Sequence, residues 1–582
     1  MLSNENKLQQ LRIQMQDQNI DVCLINQTDE FQNEFLPQYS KRLQWLTNFS
    51  GSAGEALITK NKAYLFVDGR YTLQAKLEVN QNVYKVYNYS KKTPTEILKS
   101  LKLNKPNFGI DGNIITVKKL NLLTSELKTN VSIKLLEKNL VDLIWYSRPK
   151  IKKSIVWHHK RSFHGTDVSD KITTIKKIIK KNKAQYLFIT SNESICWLLN
   201  LRSSDLAYTP IFMSRLIISD SGECFLFANI KEGLKFPKAV KFHQIELNLL
   251  SNFLSDTIAN KKIIADPRTL SSNTNEFLLK NKVKIKLIND PIEVLKSQKN
   301  NSEIKGICAA HLRDGVALTK AIFWIKEKVL KKNLTELQAV KKIDSNRLKN
   351  KNFYSLSFPT IAGSGPNGAI VHYHANKKSN RKIKDTDLFL IDSGAQYLDG
   401  TTDVTRTISF RKVSNEQKKM NTLVLKGHIA VATSVFSKSE TGKLLNINAR
   451  KYLRQHNCDF DHGTGHGVGY FLNVHEGPQS ISSVSKVKFL PGMIISNEPG
   501  YYKTNEYGIR IENLVNVKVH GNKYKFETLT LAPIDRQLIE TSLLSKNEIK
   551  WLNTYHEHVY IKLGKYLETK EKIWLKAECS NL

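Results

Sequence analysis

The chain has few cysteines, no long apolar run and too few acids to balance its bases, and each shortage narrows its chemistry. The six cysteines (Cys23, Cys196, Cys224, Cys308, Cys458 and Cys579) are scattered without a Cys-x-x-Cys pair. That excludes a dense disulfide framework and fits a reducing compartment. No apolar stretch approaches the ~20 residues of a membrane helix, and Met1-Leu2-Ser3-Asn4-Glu5-Asn6-Lys7 lacks the apolar core of a secretory signal. A soluble cytoplasmic protein is therefore expected, with no membrane partner. Asp and Glu number 53 against 89 Lys and Arg, a formal charge of +36. The lysines are spread along the chain rather than clustered beside aromatics, so the excess reads as solvated surface, with no specific nucleic-acid site. A dinucleotide fingerprint is missing too: in the glycine string from Gly463, the last required glycine is replaced by Val468 or Tyr470.

What the chain does hold is regular α/β patterning. At 582 residues it is too long for one core and divides into about three or four domains. Residues 8–18 read as an amphipathic helix, 21–25 as a buried strand, 56–59 and 63–67 as strands, and Asp68-Gly69-Arg70-Tyr71 as a turn entering a helix. The alternation then repeats, with a helix at 170–180 and strands at 186–190, 216–219 and 224–227. Two α/β domains, 1–150 and 151–300, are expected ahead of a third, 301–582, within an α/β (α+β) fold class. A long helix at 304–328 opens the third domain, an apolar last strand is expected at 529–534, and a helical tail covers 545–567 and 570–577.

Two similar hairpins in the third domain carry the chemistry. Residues 388–391 are apolar and end in Asp392, Asp399-Gly400 supplies a turn, and Asp403 lies in the alternating strand beyond. Further on, Met493-Ile494-Ile495-Ser496-Asn497 ends in Glu498, and the strand 508–515 carries Glu512. Between the hairpins lies His462-Gly463-Thr464-Gly465-His466-Gly467, whose glycines let the backbone pass a crowded centre while two histidines project into it. Taken singly, Asp403 beside Arg406 reads as a surface ion pair on a strand. Four carboxylates at matching places do not, because buried acids need a compensating cation. If they converge with His466, two divalent ions would balance them. Carboxylates with one imidazole and no thiolate favour Mn²⁺, with Co²⁺ or Zn²⁺ able to substitute. Arg510, beside Glu512, reads as an anchor for a carboxylate.

Asp392, Asp403, His466, Glu498 and Glu512 stand in that order within IDSGAQYLDGTTDVTRT, HGTGHGVG, NVHEGP, EPGYY and GIRIEN. This set resembles the pita-bread metallopeptidases, and within them the long, three-domain aminopeptidase P (Xaa-Pro aminopeptidase) subfamily. WLTNFSGSAGEALI, FVDGRY, WLLNLRSSDLAYTPIF and SFPTIAGSGPNGAIVHY extend the resemblance over nearly the whole chain. It departs at Asn497, where an acid often precedes the ligand Glu, and at His374-Ala375-Asn376; neither is a ligand position.

The resemblance implies two creatinase-like N-terminal domains, a C-terminal pita-bread catalytic domain and a homodimer. It implies two metal ions bridged by Asp403 and Glu512, with Asp392 on one ion and His466 and Glu498 on the other. A metal-bridged hydroxide would attack the scissile carbonyl, and Glu498 would shuttle the proton. His475 and His372 would hydrogen-bond the carbonyl or oxyanion, His462 would line the pocket, and Arg70 would bind the peptide. The implied substrate is a peptide with a free N-terminus and proline second, cut before the proline. Prolidase is the nearest alternative, since it shares the ligand set but cuts only dipeptides. A binding module without metals would suit the charge, but not five intact ligands.

Overall fold

Unbroken apolar strands belong in the middle of sheets, where both faces are covered, and the first half of the chain is built on two of them. The computed structural model describes residues 3–331 and 333–582. In it, Val22–Asn26 is fully buried at the centre of a six-stranded sheet, antiparallel to Glu55–Thr59 on one side and parallel to Asn107–Asp111 on the other. From edge to edge the order is Lys85–Asn88, Ala63–Val67, Glu55–Thr59, Val22–Asn26, Asn107–Asp111 and Ser132–Leu136. A second sheet repeats it with Phe242–Ile245, Cys224–Ala228, Ser214–Ser219, Tyr186–Ile189, Lys262–Ala265 and Lys284–Leu287. Strand order and the sense of every pairing are the same in both sheets. The lysine-rich edge Lys284–Leu287 protects its open hydrogen-bonding side from further strands. Helix Val168–Lys181 shows the usual economy, with Ile172, Ile175 and Ile179 buried on one stripe and lysines opposite.

These sheets share one unit, formed by residues up to His159 together with Thr166–Ile292; Lys160–Gly165 and Glu293–Leu582 form the other. The second unit opens with helix Asn301–Leu330, started by a capping box between Asn300 and Glu303. Two of the small sheets that follow have strands beside the acids. One orders Ile361–Ser364, Phe389–Ser393 and Val404–Ile408; the other orders Val435–Phe436, Lys523–Thr528, Asn513–His520 and Ile494–Asn497. Helices Asn415–Ala432 and Gly442–Arg454 pack together, and Lys546–Leu563 and Thr569–Glu578 close the chain. No helix among the described residues is long and apolar enough to cross a membrane.

Two sequence expectations fail here, each because the backbone finds partners outside a continuous ladder. The single strand expected at 508–515 is two. Tyr507–Arg510 pairs with Gly500–Lys503, Asn513–His520 pairs with Ile494–Asn497, and Glu512 sits at the break. The strand expected at 529–534 is irregular, and Lys523–Thr528 is the last strand. Its carbonyls find partners in side chains: Arg406 donates to Pro533 (3.0 Å) and Ala532 (3.0 Å), and the Tyr555 hydroxyl donates to Ala532 (2.8 Å).

Candidate metal centre

Pairing register brings the acids together. Asp392 lies within Phe389–Ser393, directly opposite Thr405, and Asp403 lies one residue before Val404–Ile408 rather than inside it. At the break after Arg510, the Glu512 N–H donates to the Thr405 carbonyl (3.1 Å), which joins the second hairpin to the first. The Thr405 hydroxyl donates to Glu512 Oε2 (2.7 Å) and accepts from Arg510 Nε (3.2 Å). Arg510 also donates to Asp392 Oδ2 (2.6 Å), so the carboxylate it anchors is Asp392 and not its chain neighbour Glu512.

Glycines bring the histidine loop in. A Cβ at Gly465 would lie 1.9 Å from the Ser496 carbonyl, and one at Gly467 would lie 2.1 Å from the Glu476 carbonyl, so only glycine fits at either place. The loop therefore lies against Ile494–Asn497. His466 N–H donates to Ser496 Oγ (2.9 Å), and Ser496 Oγ donates to Glu498 Oε1 (3.0 Å). His466 Nδ1–H donates to the Gly467 carbonyl (2.9 Å), leaving Nε2 3.6 Å from Asp403 Oδ2 and 3.5 Å from Glu498 Oε1.

Asp403, His466 and Glu512 each place a ligand atom within 4.8 Å of the other two. Asp392, Asp403 and Glu512 are 8%, 4% and 2% exposed. Burial, with the neighbouring charges, pushes Asp403 up to about 6 and Glu512 well above the usual carboxylate range. Burial alone would lower His466, but its contact with Asp403 and the charges of Glu498 and Asp403 raise it to about 9. One oxygen each of Asp392 and Asp403 is buried without a hydrogen-bond partner. Crowded acids whose inward oxygens lack donors, next to an imidazole nitrogen, fit divalent cations.

The remaining residues singled out in the sequence lie at different distances from this cluster. The His475 ring stands nearly perpendicular to His466, 4.3 Å between centroids. His372 follows Val371, whose carbonyl accepts from Arg510 Nη2 (3.4 Å). His462 Nδ1–H donates to the Gly463 carbonyl (2.8 Å), so its Nε2 accepts from the Tyr502 hydroxyl (2.8 Å), which in turn accepts from Arg510 Nη1 (2.7 Å). Arg70 belongs to the first unit, where its guanidinium donates to Asp68 (2.7 Å).

Three supporting residues escaped the sequence reading. Tyr502 was visible only as part of EPGYY. Arg406 is not on the surface: it is 1% exposed and donates to the Glu512 carbonyl (2.7 Å) and Asn513 Oδ1 (2.7 Å). His428 ties the residues beside two of the acids, its Nδ1–H donating to the Asn497 carbonyl (3.0 Å) and its Nε2 accepting from Asn513 (3.2 Å).

Burial and the charge of Arg406 push His428 and His556 down to about 3, against about 6.5 in an unfolded chain. Between those values the unfolded state binds more protons than the folded one, so stability falls as pH falls. Each histidine contributes a slope of about 1.4 kcal/mol per pH unit. The raised Asp403 and Glu512 act in the opposite sense over the same range, so the direct readout is the imidazoles themselves: the His428 and His556 ring-proton shifts in folded protein are expected to stay nearly constant from pH 6.5 down to pH 4, and a titration in that window would contradict buried neutral histidines.

Comparison with known proteins agrees with this geometry. Residues 305–518 match Metallopeptidase family M24 and 522–582 the C-terminal region of peptidase_M24; residues 7–140 and 147–303 match Creatinase/Prolidase N-terminal domains. A probable Xaa-Pro aminopeptidase P of Laccaria bicolor is 36% identical over 99% of this chain and 93% of its own. A probable Xaa-Pro aminopeptidase P of Paracoccidioides brasiliensis is 36% identical over 98% of each. The crystal structure of the X-prolyl aminopeptidase of Caenorhabditis elegans, described as a cytosolic enzyme with a di-nuclear active site, superposes with a TM-score of 0.95 at 30% identity, covering 100% of both chains. Creatinase-type α/β domains followed by a pita-bread domain are therefore the fold of this chain. With relatives of that identity matched from end to end, the chain belongs to the Xaa-Pro aminopeptidase P family of the M24 metallopeptidases.

Proposed function

We propose that this protein is a metal-dependent aminopeptidase that releases the N-terminal residue from peptides with proline second. The convergence of Asp403, His466 and Glu512, with Glu498 against His466 and Asp392 held by Arg510, carries the reading, and the end-to-end likeness to Xaa-Pro aminopeptidases P supports it. In this reading Asp392, Asp403, His466, Glu498 and Glu512 would together hold two divalent ions, Mn²⁺ by donor chemistry. Bound there, the ions supply Lewis acidity, which acidifies water and polarises the scissile carbonyl.

The chain's own side chains do the rest. Glu498 takes a proton from water and delivers it to the leaving proline nitrogen, a tertiary amide nitrogen with no N–H of its own. His475 and His372 donate hydrogen bonds to the carbonyl oxygen as it gains charge. His462, held by Tyr502, lines the pocket. The six free cysteines suit a cytoplasmic setting, and the family resemblance favours a homodimer.

The test is hydrolysis of Arg-Pro-Pro, Ala-Pro and Ala-Ala-Ala by chelator-stripped protein with and without Mn²⁺. Cleavage of the tripeptide before its first proline, only with metal, is the expected result. Preferred cleavage of Ala-Pro would replace the reading by prolidase, and no cleavage despite bound metal would remove the catalytic reading. Glu498→Gln is expected to lower turnover by about 10³-fold with an unchanged circular dichroism spectrum; near-normal turnover would take the proton transfer away from Glu498.

A further inference from the structure

In a chain whose lysines lie mostly on the surface, a few are buried, and two of these meet on one acid. The Lys296 and Lys299 side chains are 2% and 0% exposed, and both reach one carboxylate, Glu476, itself 1% exposed. Lys296 Nζ lies 2.8 Å from Oε2, and Lys299 Nζ lies 2.6 Å from Oε1. Lys299 Nζ also donates to the Lys296 carbonyl (2.9 Å), and the Lys299 N–H donates to the Gly492 carbonyl (3.0 Å). Both charges come from the short stretch with which the chain enters the second unit. Two buried cations on one anion are a poor way to fill space, because apolar side chains of the same volume are commonly no less stable.

The backbone around Glu476 connects this triad to the metal centre. Glu476 follows His475, and its N–H donates to the Gly467 carbonyl (2.8 Å). That same carbonyl accepts from His466 Nδ1 (2.9 Å), the bond that fixes the tautomer and turns Nε2 towards Asp403 and Glu498. The Gly467 N–H in turn donates to the Gln479 carbonyl (3.1 Å), closing the loop that carries His475. Holding Glu476 therefore holds one peptide carbonyl and, through it, one imidazole, while the adjoining residue supplies the second ring packed on the first.

We propose that Lys296 and Lys299, acting through Glu476, are positioning residues that set the orientation of His466 and His475. The inference rests on the roles given to those two histidines above. Glu476→Gln alone would leave two buried cations unbalanced and is expected to unfold, so the decisive variant is the charge-free triple Lys296→Met, Glu476→Gln, Lys299→Met.

Its thermal midpoint is expected to stay close to that of the parent. By calorimetry on metal-free protein, its Kd for Mn²⁺ should rise about 10-fold or more. On Arg-Pro-Pro, kcat should fall by about 10- to 100-fold with KM within about threefold. The single variants Lys296→Met and Lys299→Met each keep a one-to-one ion pair and should raise the Kd about threefold. Unchanged Mn²⁺ affinity in both single variants, or an unchanged Kd and kcat in a folded triple, overturns the proposal. A parent protein that binds Mn²⁺ but cleaves nothing would defeat the peptidase reading instead, and the calorimetric comparison would still decide this one.

Discussion

Asp403→Asn is expected to fold, to cleave no Xaa-Pro peptide at any Mn²⁺ concentration, and to lose the stabilisation that metal gives the parent. The reason lies in the electrostatics of the acids themselves. Asp403 is buried among carboxylates, and burial and repulsion push its proton affinity up. Removing that charge relieves strain in metal-free protein, so the variant should unfold at or slightly above the temperature of the stripped parent. The parent should then gain about 2.7 kcal/mol when Mn²⁺ reaches 100 times its dissociation constant. Asn offers one neutral oxygen where a carboxylate offers two charged ones, so the same addition should hardly move the variant. Thermal unfolding with and without Mn²⁺ reads both halves; an equal metal-induced shift in the two proteins would mean that Asp403 is not a ligand.

Arg406→Met should cost about 3–5 kcal/mol, the usual penalty for taking one partner out of a buried charged network. Its guanidinium donates to the carbonyls of Thr405 (2.7 Å), Glu512 (2.7 Å), Ala532 (3.0 Å) and Pro533 (3.0 Å), to Asn513 Oδ1 (2.7 Å) and to the Tyr555 hydroxyl (2.8 Å). A thioether supplies none of these donors, and unpaired buried carbonyls are costly. A Lys replacement should rescue little, because an ammonium on a flexible stem cannot reproduce a planar fork. For a unit of this size the loss corresponds to a midpoint lower by roughly 10 °C. A midpoint within about 2 °C of the parent, measured by calorimetry, would show that water or a repacked backbone satisfies those carbonyls.

Arg406 also marks where sequence reasoning stops. Placed three residues after Asp403 in an alternating strand, it suggests a surface ion pair, and no local pattern reveals that all but one of its acceptors lie more than a hundred residues away. The break at Glu512 was hidden likewise: apolar alternation through 508–515 describes one strand or two equally well, and only the Thr405 carbonyl opposite decides. The four acids and the histidine were legible because hairpin signals and glycine spacing are local. So were the α/β strands of the first unit, whose apolar runs leave few alternatives. Lys296 and Lys299 were lost among the many lysines around them, since burial is not written in a residue's own neighbourhood.

The stitch between the two hairpins has a kinetic meaning. The Glu512 N–H is bonded to the Thr405 carbonyl, and the Arg510 N–H to the Thr407 hydroxyl (3.0 Å), both inside the protein. Neither can meet deuterium oxide unless Val404–Ile408 and the segment from Arg510 to Glu512 part from each other, and such protons exchange only through large-scale opening. The metal cluster should therefore sit among the slowest-exchanging amides of its unit, and substrate must enter by side-chain and loop motion, without loosening of the strands that hold the acids.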